Sequence, residues 1–367
     1  GGADVIDAGD GDNTIYGDAG ADQITAGLGN HVIYGGSEND TITAGSGEII
    51  PGAGPGYRVG SEVFGEAGID VITLGDGNHI VDGGLDPDTI TVGAAIVLPS
   101  AGPGVRIGSE ISGGQGADTI SVLSGNHLID GGTEPDVITV GAAVLTAHGA
   151  SGVRIGSEIT GGTGGDTITV LSGNHLIHGD AGSDTIVAGA AVAVPLAPPS
   201  VRIGSEIWGA TGTDAITVGT GNHFIRGEED ADTITAGAGD SDIAGGGGSD
   251  VITVAGGNNL VHGGDSPFDI PAASTGADAA DTITTGAGID EIYGQDGDDT
   301  ISSGGGDDII LGGAGSDTIH AGAGEDLVYA LLDEAGGEFG VTHLITGGPG
   351  DDVIYGDWGV DTIFGGS

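Results

Sequence analysis

Residues 303–329 read SGGGDDIIL, GGAGSDTIH and AGAGEDLVY, three consecutive copies of one nine-residue unit. Each copy has a glycine-rich first half, an acidic residue at position six and an aliphatic residue at position eight. Glycine permits the backbone angles of a tight turn, and the middle side chain of a short strand points to the opposite face from its two neighbours. The unit therefore predicts one turn followed by one short strand, with the residue at position eight facing inward.

The same period runs through most of the chain. Two units form a coil of 18 residues, with a turn at each edge and one strand in each of two parallel sheets. If each enlarged turn is counted as one unit, the chain has about 34 turns and about 17 coils. We therefore expect an all-β fold, a parallel β-roll or β-solenoid, in which inward Ile and Val side chains stack into a thin core.

The composition is dominated by glycine and acid. The chain of 367 residues has 83 glycines and 55 acidic residues against five basic ones, giving a formal net charge of -50, and it has no cysteine. Such a charge repels itself unless cations neutralise it, so we expect calcium or other metal ions as partners and exclude nucleic acid. No stretch approaches the ~20 apolar residues of a membrane span. A lack of cysteine is typical of an extracellular bacterial protein that is cross-linked by metal ions.

The repeated unit resembles GGxGxDxUx, the repeat of the RTX family of hemolysin-type calcium-binding proteins. The resemblance implies that multiple Ca²⁺ ions lie between successive coils, bound by the position-six aspartates and by turn carbonyl groups. Oxygen-only ligation is what this hard cation prefers. The predicted metal ligands are Asp4, Asp22, Asp40, Asp70, Asp88, Asp118, Asp136, Asp166, Asp184, Asp214, Asp232, Asp250, Asp281, Asp290, Asp299, Asp308, Asp317, Asp326, Asp352 and Asp361.

The two kinds of turn differ at position six. Odd turns, counted from the one that ends at Asp4, carry aspartate along the chain, whereas even turns regain acids only from Asp290 onward. Residues 1–262 are therefore predicted to form an asymmetric β-roll, with calcium along the odd edge and little or none along the even edge over residues 8–262. After about residue 281 both edges are expected to bind calcium. The earlier even turns carry Asn13, His31, Ser61, His79, Ser109, His127, Ser157, His175, Ser205, His223, Ser241 and Asn259.

Five of these neutral residues are histidines spaced 48 residues apart, in versions of GNHLIDGG (residues 125–132). Imidazole is a common metal ligand. However, histidines in alternate coils lie ~9.6 Å apart at the usual strand spacing, which is too far for two of them to share one ion through ~2.1 Å bonds. We favour a structural interpretation, in which each histidine hydrogen-bonds the neighbouring backbone, while a transition-metal column and a pH-sensitive role stay open.

The 48-residue period is two coils plus an insert of 12 residues in every second even turn. Each insert is apolar and leads into Arg-aliphatic-Gly-Ser-Glu. We interpret these arginines as supplying internally the positive charge that calcium supplies at the opposite edge, and an arginine row that binds an anionic partner is the alternative. The enlarged turns are 44–64, 92–112, 140–160 and 188–208, and their arginines are Arg58, Arg106, Arg154 and Arg202.

The apolar inserts need a surface on which to pack. The residue after each motif histidine is apolar, which favours inserts folded over the outer face of the even sheet, and self-association through exposed inserts is the alternative. Two irregular inserts, 263–280 and 330–346, are expected to flank a regular roll over 281–329, with another over 347–367. Strands such as DTIT place Thr on the outer face of the odd sheet, which resembles the ice-binding face of some β-solenoid antifreeze proteins.

The motifs HExxH and GxSxG are absent from the sequence, so we expect no enzyme here. The leading interpretation is a calcium-folded structural segment of a secreted bacterial surface or extracellular protein, of adhesin, surface-layer or matrix type. The family resemblance implies type I secretion and folding outside the cell. The alternatives are the calcium-binding module of a secreted epimerase, protease or lipase, and an ice- or glycan-binding β-solenoid. Because the repeat is in progress at both ends, we expect the chain to be a piece of a longer protein.

Overall fold

The structure is a computed structural model that describes residues 1–48, 59–96, 108–144, 156–192, 204–265, 279–330, 341–357 and 360–366. The regular secondary structure of these ranges consists of 33 short β-strands. They contain no helix that is long and apolar enough to cross a membrane. The predicted all-β class is confirmed. The chain divides into two compact units, Gly1–Ala188 with Val192–Val201, and Gly189–Ala191 with Arg202–Ser367.

The first unit contains seventeen strands among its described residues. They are β1 (Val5–Asp7), β2 (Thr14–Tyr16), β3 (Gln23–Ala26), β4 (Val32–Ser37), β5 (Thr41–Ala44), β6 (Glu62–Ala67), β7 (Val71–Leu74), β8 (Ile80–Leu85), β9 (Thr89–Val92), β10 (Glu110–Gln115), β11 (Thr119–Val122), β12 (Leu128–Thr133), β13 (Val137–Val140), β14 (Glu158–Thr163), β15 (Thr167–Val170), β16 (Leu176–Ala181) and β17 (Thr185–Ala188).

Each strand of this unit pairs in parallel with the strand two places along the chain. The odd-numbered strands form one sheet and the even-numbered strands a second. The register follows the repeat, so that Ile120 pairs with Ile138 and Ile138 with Ile168. This alternation between two parallel sheets is the predicted β-roll.

The second unit has the same arrangement in sixteen described strands, again with odd and even strands in separate parallel sheets. They are β18 (Glu206–Thr211), β19 (Ala215–Val218), β20 (Phe224–Glu229), β21 (Thr233–Ala236), β22 (Asp242–Gly246), β23 (Val251–Val254), β24 (Leu260–His262), β25 (Thr282–Thr284), β26 (Glu291–Asp296), β27 (Thr300–Ser302), β28 (Ile309–Ala314), β29 (Thr318–His320), β30 (Leu327–Tyr329), β31 (Leu344–Gly348), β32 (Val353–Tyr355) and β33 (Thr362–Gly366).

The core consists of stacked aliphatic side chains at position eight. Ile42, Ile72 and Ile90 form such a column in the odd sheet, and all three are fully buried. Odd strands bury a second column of Ala, Val or Leu two residues later, for example Val92. Stacking of aliphatic side chains removes apolar surface from water along the whole ladder, and each Å² of apolar surface buried stabilises the fold by ~25 cal/mol. The thin core therefore follows from the period.

The two outer faces differ in exposure. Thr41 and Thr43 of β5 are exposed, as predicted for the odd face, and ice binding by this face stays a prediction. On the even face, the first residue of each even-numbered strand from β4 to β24 is half-buried, including Ile80 and Glu110. The insert arginines Arg58, Arg106, Arg154 and Arg202, and most of each apolar insert, lie outside the described residues.

The repeat resumes within the range 330–346 for which the spacing predicts an irregular insert. β31 begins at Leu344 and pairs in register with β29 and β33. His343 therefore stands at position six of an odd turn, between Asp317 and Asp361. Phasing from the acids alone passes over this turn, because its position-six residue is not acidic.

Candidate calcium-binding edge

The position-six aspartates of the odd turns form a continuous hydrogen-bonded ladder within each unit. The backbone N–H of each aspartate donates to Oδ1 of the aspartate one coil further on. These N···O distances are 2.6–2.7 Å from Asp4 to Asp184 and 2.7–3.0 Å from Asp214 to Asp317. The odd edge therefore holds one carboxylate per coil in a fixed orientation.

The second carboxylate oxygen, Oδ2, points into the turn and is buried. Seventeen of the twenty predicted ligands are buried, whereas Asp4 is exposed and Asp352 and Asp361 are half-buried. A buried carboxylate oxygen without a hydrogen-bond donor or a cation is costly. Among the described residues, Oδ2 accepts no hydrogen bond in Asp22, Asp40, Asp70, Asp88, Asp118, Asp136, Asp166 and Asp232.

Glycine at position one keeps space open beside Oδ2. A Cβ atom on Gly83 would lie 2.5 Å from Oδ2 of Asp88 and 2.5 Å from the carbonyl oxygen of Gly113, one coil further on. The same two kinds of oxygen flank position-one glycines of other odd turns, such as Gly161 beside Asp166. Carboxylate and carbonyl oxygens thus converge between successive coils at a place that only a glycine leaves free.

Burial makes these carboxylates poor anions in the absence of a cation. Desolvation raises the pKa of Asp88 to about 7, and repulsion from Asp70 and Asp118 adds to the shift. Burial likewise raises the pKa of Asp136 to about 7 and that of Asp232 to about 8. A divalent cation beside Oδ2 would reverse this cost. Converging oxygen ligands with this electrostatic demand fit Ca²⁺.

The even edge carries a ladder of the same hydrogen bonds made by neutral side chains. The N–H of Ser61 donates to Nδ1 of His79 over 2.9 Å, and the N–H of His79 donates to Oγ of Ser109 over 3.0 Å. Ser109 and His127 continue the alternation. Each His and Ser side chain therefore accepts the backbone N–H, as aspartate Oδ1 does at the odd edge, but without a negative charge.

The hydrogen bonds of the histidines in this ladder indicate the ring tautomer. Because Nδ1 accepts a hydrogen bond from a backbone N–H, the ring proton lies on Nε2, which in His31 and His79 is 3.1 Å from the carbonyl oxygen of Gly27 and Gly75. Burial lowers the pKa of His175 to about 4 and also lowers that of His223. Both ring nitrogens are thus engaged by the backbone in His31 and His79, which is the structural role favoured from the sequence.

In the first four GNH motifs, the asparagine hydrogen-bonds the first residues of the following insert. In Asn126, Nδ2 donates to the carbonyl of Val144 over 3.1 Å and Oδ1 accepts from its N–H over 3.1 Å. Asn174 makes the same pair of bonds with Val192. In the fifth copy, Asn222 instead accepts the N–H of Asp240, in a turn without an insert. Bracing of the insert by the asparagine is a role that the sequence reasoning missed.

Acids replace the neutral ladder on the even edge from Asp290 onward, as the phasing predicts. The N–H of Asn259 donates to Oδ1 of Asp290 over 2.8 Å, and the chain of bonds continues through Asp308 and Asp326 to Asp352. Within each unit the predicted ligands therefore lie in separate columns. The first unit has nine on its odd edge, and the second has seven on its odd edge and four on its even edge.

A family model for the RTX calcium-binding nonapeptide repeat matches residues 1–30, 32–48, 62–90, 110–138, 160–191, 208–243, 238–266, 275–310, 302–333 and 344–367. These segments cover more than half of the chain. The chain belongs to the RTX calcium-binding repeat family. No curated protein matches it.

Membership of the RTX family makes this chain a calcium-binding repeat segment. The family match includes the coils whose even turns end in His or Ser, so it does not by itself distinguish the two edges. That distinction rests on the geometry, because only the aspartate columns place a second buried carboxylate oxygen beside the turn carbonyls.

One part of the odd edge was not found from the sequence. Asp317 is followed in the ladder by His343 rather than by Asp361, since the N–H of Asp317 lies 3.2 Å from Nδ1 of His343. Asp357 lies beside His343 but at position two of its turn, and the repeat predicts no metal ligand at that position. The available signal was THLITGG (residues 342–348), which matches DTIT-type strands with His in place of Asp.

Proposed function

We propose that this RTX segment is a calcium-folded structural element of a secreted bacterial surface or extracellular protein, in which calcium is bound along one edge only over residues 1–262. The observation that carries this proposal is the column of buried Oδ2 atoms on the odd edge, which in Asp70, Asp88 and other aspartates accept no hydrogen bond. The even edge has neutral His and Ser acceptors at the same positions. Calcium would be ligated by the position-six aspartates and the position-one carbonyl groups.

Calcium would act on folding through the odd edge. Without a cation, successive carboxylates such as Asp70 and Asp88 are buried and repel each other. A cation that binds the folded edge and not the unfolded chain transfers its binding free energy to folding. The even edge needs no such ion, because its N–H groups are satisfied by uncharged acceptors. The segment would thus have one edge that depends on calcium and one that does not.

A secreted, non-enzymatic role is supported by two features. The RTX family is generally found in secreted bacterial proteins, and the buried aspartates at position six are taken up by the ladders. Extracellular calcium modules have dissociation constants of about 10⁻⁴–10⁻³ M. A segment with such affinity would stay unfolded in a low-calcium cytosol and fold after export, which fits the type I route.

The test compares matched variants at adjacent turns. Asp136→Asn removes a charge from the odd edge while retaining an oxygen acceptor. His127→Asn introduces the same amide side chain on the even edge, where it replaces an uncharged acceptor. We expect Asp136→Asn to lower the number of bound Ca²⁺ ions, measured by calorimetry, and to shift the calcium midpoint of β-sheet formation upward. His127→Asn should leave both unchanged.

Removal of calcium provides the second half of the test. At pH 8, a chelator should abolish the β-sheet circular dichroism signal of the wild-type segment, and added Ca²⁺ should restore it, whereas Mg²⁺ at the same concentration should not. A segment that keeps its β-sheet signal in the chelator, or an equal loss of calcium from the two variants, would refute the one-edge proposal.

A further inference from the structure

The odd-edge ladder changes its chemistry at one coil. From Asp4 to Asp317 every position-six residue is aspartate, and then His343 takes the place. Position one changes as well, because the turns that end in these aspartates from Asp22 onward begin with glycine, whereas the turn ending at His343 begins with Ala330. This coil therefore departs from the oxygen-only pattern of the calcium edge at two positions of the same turn.

His343 is enclosed by carboxylates on both sides of its ring. Its Nδ1 lies 3.3 Å from Oδ2 of Asp317, and its Nε2 lies 3.7 Å from Oδ2 of Asp357. The residue is 2% exposed. Its Nε2 is buried and makes no hydrogen bond within the described part of the chain. A nitrogen that could bind a ligand is therefore held without a bonded partner and directed at a carboxylate.

Asp361 completes the group. Its carboxylate receives the N–H of His343 through Oδ1 over 3.4 Å and the N–H of Asp357 through Oδ2 over 3.1 Å, so both neighbours fix its position. One ligand atom from each of His343, Asp357 and Asp361 can be chosen so that all three lie within 4.8 Å of one another. In the described ranges this is the only such group of three or more His, Asp or Glu residues.

The donor set differs from that of a calcium site. One imidazole nitrogen and two carboxylates suit a first-row transition metal such as Zn²⁺, whereas Ca²⁺ takes oxygen ligands only. Asp317 on the far side of the ring matches the carboxylate–histidine–metal arrangement, in which a carboxylate holds the other ring nitrogen and orients the ligand. Metal binding through Nε2 puts the ring proton on Nδ1, which then donates to Oδ2 of Asp317 in place of the bond that Nδ1 accepts from the N–H of Asp317. The Nε2 lone pair is then directed toward Asp357, and a cation there would remove the repulsion between the carboxylates.

We propose that His343, Asp357 and Asp361 bind a divalent transition-metal ion, with Asp317 as the positioning residue. Nε2 of His343 and one oxygen from each aspartate provide three ligands, which leaves a tetrahedral ion with one position for water or for an incoming group. At this coil Asp361 would serve a transition metal in place of calcium. The segment would then carry a single metal site of different specificity within its calcium column.

The experiment titrates Zn²⁺ alone into untagged, calcium-saturated protein by calorimetry, so that failure of the calcium proposal and of the zinc proposal are separable. Wild-type protein should bind one equivalent of zinc in addition to its calcium. His343→Asp restores the acid that the repeat has at other coils, and it should weaken zinc binding by about 10-fold or more while leaving the calcium-dependent β-sheet signal intact. His320→Ala, an exposed histidine on β29, is the matched control and should bind zinc like the wild type.

Nitrogen NMR of the histidine rings gives a readout that a purely structural role would not move. Zinc should shift Nε2 of His343 and leave the rings of the even-edge histidines unchanged, and Asp357→Asn should weaken that response. Absence of a saturable zinc site in the wild type would overturn the proposal. So would a His343 ring that binds protons but does not respond to zinc, because the buried imidazolium would then balance the two carboxylates by itself.

Discussion

At position six, side chains of four kinds meet one geometric requirement. Aspartate Oδ1, histidine Nδ1, serine Oγ and asparagine Oδ1 each accept the backbone N–H from the preceding coil, as in Asp88, His79, Ser109 and Asn259. The requirement is set by the backbone, since a buried N–H without an acceptor is costly. Aspartate alone adds a second oxygen and a negative charge, and that oxygen is the one that we propose as a calcium ligand.

His175→Asn tests the neutral ladder at the level of one residue. Burial lowers the pKa of His175 to about 4, below that of an unfolded histidine, so its contribution to stability is present above about pH 6.5 and is lost as the pH falls through about 4. Asparagine keeps an acceptor, as Asn259 shows, and cannot be protonated. The variant should therefore lose less stability than the wild type between pH 6.5 and pH 4 in calcium-saturated urea melts. Equal loss in the two proteins would contradict a neutral buried imidazole.

Much of this could be predicted at the scale of single positions, for a physical reason. The columns of Ile42 and Ile72 and the edge of each aspartate follow from a strict period, because a repeat that stacks in register places equal positions in one column. His343 and Asp357 were missed because the insert before His343 shifts the count, His343 is not acidic, and Asp357 does not stand at position six. The alternation of histidine and serine in one hydrogen-bonded ladder was also not predicted. The two side chains share only the ability to accept a backbone N–H, and that ability is not visible as a common residue type in the sequence.

At the scale of the turn, glycine has two roles, because it adopts left-handed backbone angles at some positions and leaves space for oxygen atoms at position one. Some odd-turn positions with left-handed backbone are occupied by acids instead of glycine, such as Asp86 (φ 73°) and Glu134 (φ 69°). Left-handed geometry costs a non-glycine residue roughly 1–2 kcal/mol, and the turns evidently tolerate that cost. Position one is different, because Gly83 is required by space and not by its backbone angle.

Gly83→Ala tests the open space beside the carboxylate. The new methyl group would meet Oδ2 of Asp88 and the carbonyl of Gly113 at 2.5 Å, so backbone or carboxylate must move. We expect a loss of about 1–3 kcal/mol in stability and weaker calcium binding, measured by denaturant melts and by calcium titration. Gly305→Ala is the matched control, since its Cβ would meet nothing closer than 3.4 Å and its ladder neighbours are Ala287 and Ala323. Equal effects from the two variants would show that the space is not used.

For the whole molecule, the charge of -50 and the raised pKa values of its aspartates act together on folding. On the proposed calcium edge, protons and calcium would compete for the same buried carboxylates. Asp88 and Asp136 have pKa values of about 7 and Asp232 of about 8, whereas an unfolded aspartate has about 3.9. The folded state therefore binds more protons than the unfolded state at neutral pH.

The sign of the pH effect should thus depend on calcium. Without calcium, the β-sheet signal that a chelator removes at pH 8 should return in part as the pH is lowered to 6.5, because proton uptake favours the folded state in this window. In saturating calcium the β-sheet signal should not change over this window, and calcium binding at pH 6.5 should release protons from the folded fraction, which calorimetry in buffers of different ionisation enthalpy measures directly. A calcium-free protein that gains no β-sheet signal over the same window, or calcium binding without proton release, would show that the odd-edge carboxylates are already ionised before the cation arrives.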